Sequence, residues 1–430
     1  PSPLIDRMAF NGVLHSVKKD SKLKGALFAA ASDALGVEVL TCVDAAFAED
    51  PAIDEVGLVF GPPLVAENPA EELEATATRH RAIARASVVL DEHKLGLAFA
   101  ALPALYSAAR SAFRRNLCAG AEADAAALRA TRSMLLVNAD CYVAWARRKR
   151  ALLAEGGGDA SNTAAAAERE LDFTTLVLTQ HPKSTETWAH REWALQRALS
   201  ESAESARRAL DPSSSGDSSS RSSSSTTATA RRALRLLQRE LRVCAKACTD
   251  YPRNYYAWTH RLRVCRRLAH GAHKLVAHLT SNELAWSEHW LRSHVSDHAG
   301  VTHRQSVVRL CCAAARRARG GGDGSNDKTA AARLLARERQ VTLELLGAYP
   351  GHEAMWEHRR FVIAAIVERC DGAVAIAAAV AEDAALDGAM AERATDLMPS
   401  ERRAQRVQRQ HAASYRLWRA ALERRARERT

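Results

Sequence analysis

Apolar residues recur along most of this chain at intervals of three and four, the spacing of a helix with one buried face. Ala233–Cys248 (ALRLLQRELRVCAKAC) is a clear instance. Between such stretches one pattern returns: proline, five residues, tryptophan, any residue, histidine, arginine. It is complete in HPKSTETWAHR (Pro182, Trp188, His190, Arg191), YPRNYYAWTHR (Pro252, Trp258, His260, Arg261) and YPGHEAMWEHR (Pro350, Trp356, His358, Arg359). Two partial copies lie between and before these. NADCYVAWARR keeps Trp145 and Arg148, and HVSDHAGVTHR keeps His303 and Arg304 with Val295 and Val301 in the Pro and Trp places. A last trace near Trp418 lacks both His and Arg. The anchors at 145, 188, 258, 301 and 356 are separated by 43, 70, 43 and 55 residues. Without insertions the unit is about 35–45 residues, the size of a two-helix repeat. The predicted fold is therefore all-α, a series of helical hairpins.

The long intervals have visible causes. The run Ser213–Thr227 is almost all Ser and Thr; it offers no apolar surface to bury, so a disordered insertion is expected over about 200–230. Arg319–Lys328 (RGGGDGSNDK) is a Gly-rich loop, and Gly156–Asp159 a smaller one. Pro is expected near the start of each unit's helix, where its missing N–H costs nothing, with Ser184 and Asn254 as caps. Trp and Arg three apart share one helix face. The indole should fill the groove between hairpins, and Arg should stack on it or bond the preceding unit's carbonyls. The first hundred residues differ. Val37–Val43 and Ile53–Phe60 are apolar and partly β-branched and read as extended, with helix returning over Leu73–Arg115. This predicts an N-terminal segment, 1–115, and a repeat region, 116–430.

Composition adds little to the fold and more to the function. Of a net charge of +11, the last thirty residues, Glu401–Thr430, supply +7 from ten Arg and three acids. A basic tail is the fact to explain; its plain reading is a solvated helix or frayed terminus. Its Arg residues are not interleaved with aromatics, apart from Tyr415 and Trp418, so DNA or RNA binding by stacking is not expected. Nine Cys without a CxxC pair suggest buried, reduced thiols in a cytoplasmic protein. No apolar stretch approaches the length of a membrane span.

The Trp-x-His-Arg repeats resemble those of protein prenyltransferase α-subunits. EHKLGLAF (Glu92–Phe99), HPKSTETWAHREW (His181–Trp193), LRSHVSDHAGVTHRQ (Leu291–Gln305) and YPGHEAMWEHRR (Tyr349–Arg360) are similar to the branch of α-subunit repeat-containing proteins. With IDEVGLVF (Ile53–Phe60) the resemblance spans about Ala30 to Phe361. It implies a right-handed superhelix or crescent of hairpins, akin to tetratricopeptide repeats, wrapped around a catalytic β-subunit that holds the zinc; this chain would hold no cofactor. The branch implies the β-subunit of Rab geranylgeranyltransferase as partner, an isoprenoid diphosphate at the subunit interface, and geranylgeranyl transfer to a Cys of an already farnesylated protein such as a SNARE. In related α-subunits a Lys in a PKNY-x-x-W motif reaches the diphosphate, and a Tyr in NY-x-AW borders the same site. The matching positions are Lys183 and Tyr255, although Ser184-Thr185 replace the Asn-Tyr after the Lys.

Trp145, Trp188, Trp258 and Trp356 read as hairpin packing. Arg148, Arg191, Arg261, Arg304 and Arg359, and His190, His260, His303 and His358, recur at fixed offsets and read as structural or interface residues, since a catalytic group has no need to recur. His294, Asp297, His298 and His303 cluster in sequence without a convincing metal set; Asp297 reads as a cap or interface residue. The alternative to a prenyltransferase subunit is a helical-repeat scaffold without an enzyme partner.

Overall fold

A computed structural model describes residues 33–60, 73–117, 121–200, 219–270, 279–317, 325–369, 377–382, 384–385 and 399–428. They form an all-α chain of helical hairpins with one small sheet. Two compact units are drawn from residues 1–235 with 245–257, and from 236–244 with 258–430.

The first unit opens on helix α1 (Asp33–Glu49), strand β1 (Glu55–Val59), helix α2 (Leu73–Ala86) and strands β2 (Val88–Asp91) and β3 (Lys94–Ala98). β3 is central, parallel to β1 and antiparallel to β2, with Val56 opposite Leu95 and Leu90 opposite the same residue on the other side. The sequence places extended structure correctly in β1 and wrongly at Val37–Val43. There Gly36, Val39, Val43 and Ala46 are buried at helical spacing, and packing overrides β-branched propensity. The β2–β3 hairpin interrupts the expected helix over Leu73–Arg115. Its turn passes through Glu92 and His93, both left-handed, with φ of 41° and 64°. A turn of that kind usually announces itself with Asn or Gly, and here it does not.

Helix α3 (Leu102–Arg115) leads into the repeats. Its Leu102 and Leu105 share one apolar core with Val39, Val56, Leu97, Leu135, Trp145 and Val177. The core thus runs through residue 115 without a break. Gly36 of α1 sits at the α1–α3 crossing, where an added Cβ would press on the Ala104 carbonyl and lie 3.1 Å from the Ala108 Cβ. Gly36→Ala should therefore destabilise by about 1–3 kcal/mol despite its better helix propensity. Gly347, with open space around it, should gain roughly 0.5–1 kcal/mol as Ala. Thermal melts of the two variants moving in the same direction would refute this packing account.

The hairpins are α4 (Ala121–Val137) with α5 (Tyr142–Gly156), α6 (Ala160–Gln180) with α7 (Thr185–Ala198), and α8 (Ser219–Asp250) with α9 (Tyr255–His270). Then come a π turn (Leu279–Glu283) running into α10 (Leu284–Ser293), paired with α11 (His298–Arg317), and α12 (Ser325–Ala348) with α13 (Glu353–Arg369). The last long helix is α14 (Pro399–Arg427). Of the Ser-rich insertion, 201–218 lies outside the described residues. Ser219–Thr227, expected to be disordered, instead extends α8 backwards from its amphipathic stretch, because adding residues to an existing helix is far cheaper than nucleating one. Of the Gly-rich stretch 319–328, residues up to 324 lie outside the described set and Ser325–Lys328 begin α12.

Between α5 and α6, Gly157 and Gly158 are left-handed and Asp159 caps α6 by accepting from the Ser161 and Asn162 amides. The three motif prolines lie in the turns, two residues before the N-cap positions, rather than inside the helices. Seven cysteines among the described residues are free thiols, five of them buried, and burial pushes Cys311 up to about 12. Cys118 and Cys370 lie outside the described residues. No described helix is long and apolar enough to cross a membrane.

Candidate functional site: the repeat ladder and its exposed turns

The motif residues build one arrangement several times over. Each motif sits on the second helix of its hairpin, so a residue twenty positions earlier lies across the turn on the first helix. The arginines donate to those carbonyls: Arg148 to Leu128 at 3.0 Å, Arg191 to Leu171 at 2.9 Å, Arg261 to Leu241 at 2.6 Å, and Arg304 to Leu284. The histidines meet a glutamate at the same offset. His190 pairs with Glu170 at 3.1 Å, His260 with Glu240 at 2.9 Å, His303 with Glu283 at 2.8 Å and His358 with Glu338 at 3.2 Å. The sequence reading missed these glutamates. The signal was there: Glu stands twenty residues before His in every copy that has the His. In the first copy Ala127 and Arg147 replace the pair together, and Arg147 turns to Asp124 instead.

Three of these glutamates also tie their hairpin to the one before. Glu170 takes a two-point hydrogen bond from Arg148 (2.5 and 2.8 Å), Glu283 from Arg261 (2.8 and 2.7 Å), and Glu338 from Arg304 (3.0 and 2.5 Å). Arg359 reaches Glu382 at 3.1 Å. Three residues beyond two of these glutamates an aromatic receives the same guanidinium: Arg148 lies 4.0 Å over Phe173 and Arg261 3.4 Å over Trp286. So Arg does not stack on its own motif Trp, as its i, i+3 spacing suggested. The side chain is long enough to cross to the next hairpin, where it gains a carboxylate and a ring at once.

The indoles do fill the groove between hairpins. Trp145 packs on Phe173 and His190 of the following hairpin, Trp258 on Trp286, Trp290 and His303, and Trp356 on Tyr415 of α14. Trp145 and Trp188 donate to the carbonyls of Ala139 and Pro182, six residues back, at the proline position of their own turns. In two copies the turn passes through a left-handed residue, Arg253 or Gly351. There Trp356 donates to Gln408 instead, and Trp258 Nε1 has no partner among the described residues.

Charge in this ladder is settled by its geometry. Burial raises the Glu170 and Glu283 carboxyls, but the arginine beside each and the histidine bond outweigh it and hold both at about 2. Glu338 is lowered in the same way. Burial pushes His190 and His303 below the usual imidazole value, only partly opposed by their glutamates. In His190 and His303 the Nδ1 atom is buried with no hydrogen-bond partner among the described residues. A neutral ring whose Nε2–H donates to the carboxylate satisfies this pattern; a charged ring would strand a buried N–H.

Cys265, Glu283 and His303 bring ligand atoms within 4.8 Å of one another. Both Glu283 oxygens already accept from Arg261, and burial holds Cys265 as a thiol. A cation there would have to displace the guanidinium, so the group belongs to the ladder. The other histidine cluster is not assembled. His294 stacks on Trp290 at 3.8 Å, His298 is exposed, and His303 faces Glu283. Asp297 is a cap: it accepts from the Ala299 amide and from Trp290 Nε1.

The copies differ in the turns that precede these helices. Ser184 caps α7 and bonds the Ala139 carbonyl of the previous turn; Asn254 caps α9 and donates to the Pro182 carbonyl, so successive turns are linked. On this linked edge Lys183 is exposed and its Nζ lies 3.4 Å from the Pro252 carbonyl. That turn leads into Tyr255, 69% exposed, and the matching residue two hairpins earlier, Tyr142, is 67% exposed. The structure thus brings Lys183 to the turn that carries Tyr255.

Residues 167–198 and 237–268 match the family profile described as the protein prenyltransferase alpha subunit repeat. Each matched stretch starts three residues before a buried glutamate, Glu170 or Glu240, and ends seven after the motif arginine, Arg191 or Arg261. The chain is 32% identical over 350 residues to protein prenyltransferase alpha subunit repeat-containing protein 1 of Danio rerio, covering 77% of this chain and 72% of that protein. It is 32% identical over 253 residues to the Homo sapiens protein of the same name, covering 54% of this chain and 57% of that one. A Xenopus laevis relative, protein 1-B, is 29% identical over 347 residues, 75% of this chain and 70% of its own. Two repeats matched by the family profile and a relative matched over most of both chains place this protein in the protein prenyltransferase alpha subunit repeat-containing family.

Proposed function

We propose that this chain is the α-subunit of a cytoplasmic, heterodimeric protein prenyltransferase. Its partner is a zinc-bearing β-subunit of the Rab geranylgeranyltransferase kind, and the complex transfers a geranylgeranyl group to a Cys of a protein, such as a SNARE that already carries a farnesyl group. The observation that supports this most is the split between repeated and unrepeated residues. The recurrent Trp, His and Arg are buried and spent on hairpin contacts, while Lys183 and Tyr255 stand exposed at one linked pair of turns. There a Lys ammonium can meet the diphosphate that leaves when the Cys sulfur bonds to the isoprenoid carbon, and a Tyr ring can border the chain.

Co-expression with such a β-subunit tests the pairing, read by size-exclusion chromatography and by transfer from geranylgeranyl diphosphate to the farnesylated acceptor. Lys183→Ala in the reconstituted enzyme should lower kcat roughly tenfold, less than the hundredfold or more lost with a buried group that stabilises transition-state charge, because Lys183 is exposed and partly screened. Unchanged turnover would take Lys183 out of the site. A chain that forms no complex would leave the scaffold reading in its place.

A further inference from the structure

The basic tail is a helix with one face fixed. Gln408 Oε1 accepts from the Gly351 amide at 2.8 Å and from Trp356 Nε1 at 3.0 Å, and Ala412 and Tyr415 are buried against the preceding hairpin. Ser414 accepts from Arg360 at 2.9 Å. These contacts set the rotation of α14, and so determine what its opposite face presents. Positions 402, 406, 409, 413, 417, 420 and 424 form one exposed stripe at helical spacing. Arg402, Arg406 and Arg409 occupy one end and Arg424 the other. Leu417 lies between them, 75% exposed. The ridge is about 33 Å long from Arg402 to Arg424.

Two properties of this ridge call for a partner. Its four arginines, flanked by the exposed Arg403 and Arg425, make no ion pair with any described residue. Two other surface arginines, Arg292 and Arg337, do find an acid, Glu288. The most exposed large apolar side chain among the described residues sits in the middle of that charge rather than apart from it. Meanwhile the helix's rings are taken: Tyr415 is buried and Trp418 half-buried on the inner face.

We infer that the outer face of the terminal helix, Arg402–Arg406–Arg409 with Leu417 and Arg424, is a docking surface for an anionic lipid membrane. Arginines at both ends meet headgroup phosphates and carboxylates, and Leu417 enters the acyl boundary between them, the disposition of a helix lying in an interface. A nucleic acid would ask for exposed rings between the charges, and these rings face inward. The inference stands apart from prenyl transfer and holds whether or not the chain has a catalytic partner.

The test is sedimentation of the full chain with phosphatidylcholine vesicles, with and without roughly 30 mol% phosphatidylserine, at about 100 mM salt. Binding is expected to the anionic vesicles and to fall steeply with added salt. Each arginine near the surface contributes about fivefold, so Arg402→Ala, Arg406→Ala and Arg409→Ala together should weaken binding roughly 100-fold. These side chains hold nothing in the fold, so the melting temperature should not move. Leu417→Ser should weaken binding several-fold without changing its salt dependence, which a purely ionic contact would not do. Equal binding to both vesicle types, no binding, or an unaffected triple variant overturns the inference. Tighter binding to single-stranded RNA than to vesicles at the same salt reassigns the face to nucleic acid, and displacement by low millimolar inorganic phosphate reassigns it to a free anion.

Discussion

Glu283→Gln should destabilise the protein by about 3–5 kcal/mol, the cost of leaving a buried charge without its partner. Glu283 is 1% exposed; it takes both Arg261 bonds and the His303 bond. Glutamine has the same shape, so no cavity opens. The amide offers one acceptor and turns an N–H₂ toward a guanidinium that is itself 2% exposed. The effect should spread, because Arg261 holds α9 to the π turn and His303 holds α11 to it. Urea unfolding gives the magnitude, and amide exchange in α9 and α11 gives the extent. The counter-experiment removes the polar group altogether: Arg261→Met with Glu283→Leu and His303→Leu should recover most of the loss, since apolar replacement of a whole buried ionic group is often close to neutral. A loss under about 1 kcal/mol for the single variant would mean that water reaches the pair and that the ladder is not what holds the hairpins together.

The same ladder explains what could and could not be read in the sequence. Trp, His, Arg and Pro are rare enough together that their spacing announced the repeat, and the Ser184 and Asn254 caps followed from residue type and place. The partner of each His did not. Glutamate is common and was scattered among many surface acids, and only its constant distance from His distinguishes the buried ones. The arginine's true stacking partner was hidden for another reason. Spacing along one helix shows which side chains are neighbours there, but a guanidinium reaches across to the next hairpin, and Phe173 or Trp286 lies in sequence that the motif does not mark. The N-terminal sheet was half visible: β1 is an apolar β-branched run, whereas β2 and β3 are joined by Glu92-His93, which carry no turn signature. Lys183 and Tyr255 were singled out by resemblance; their exposure and their meeting at one turn came only with the structure.

The largest collective effect expected is acid unfolding, and its sign follows from the shifts. In the folded chain Glu170 and Glu283 titrate at about 2, against an ordinary 4.5. A depressed carboxyl contributes stability that is complete above the unfolded value and is lost as pH falls through the folded one. Each should therefore give up roughly 3 kcal/mol between pH 5 and pH 2. Glu338 adds to this in the same direction. His190 and His303, lowered by burial, stay neutral in the folded chain while their unfolded counterparts take up protons below about 6.5. That favours the unfolded state as well, so the histidine and glutamate effects do not cancel. The melting temperature should begin to fall below pH 6.5 and fall more steeply below pH 5. Two carboxyls alone remove roughly 6 kcal/mol, as much as many domains have in reserve, so unfolding should be complete before pH 2. The histidines make the sharper discrimination. If their rings were charged partners of the glutamates, stability would rise as pH is lowered from 8 to 6; if they are neutral donors, as their partnerless Nδ1 atoms require, it will be flat and then decline.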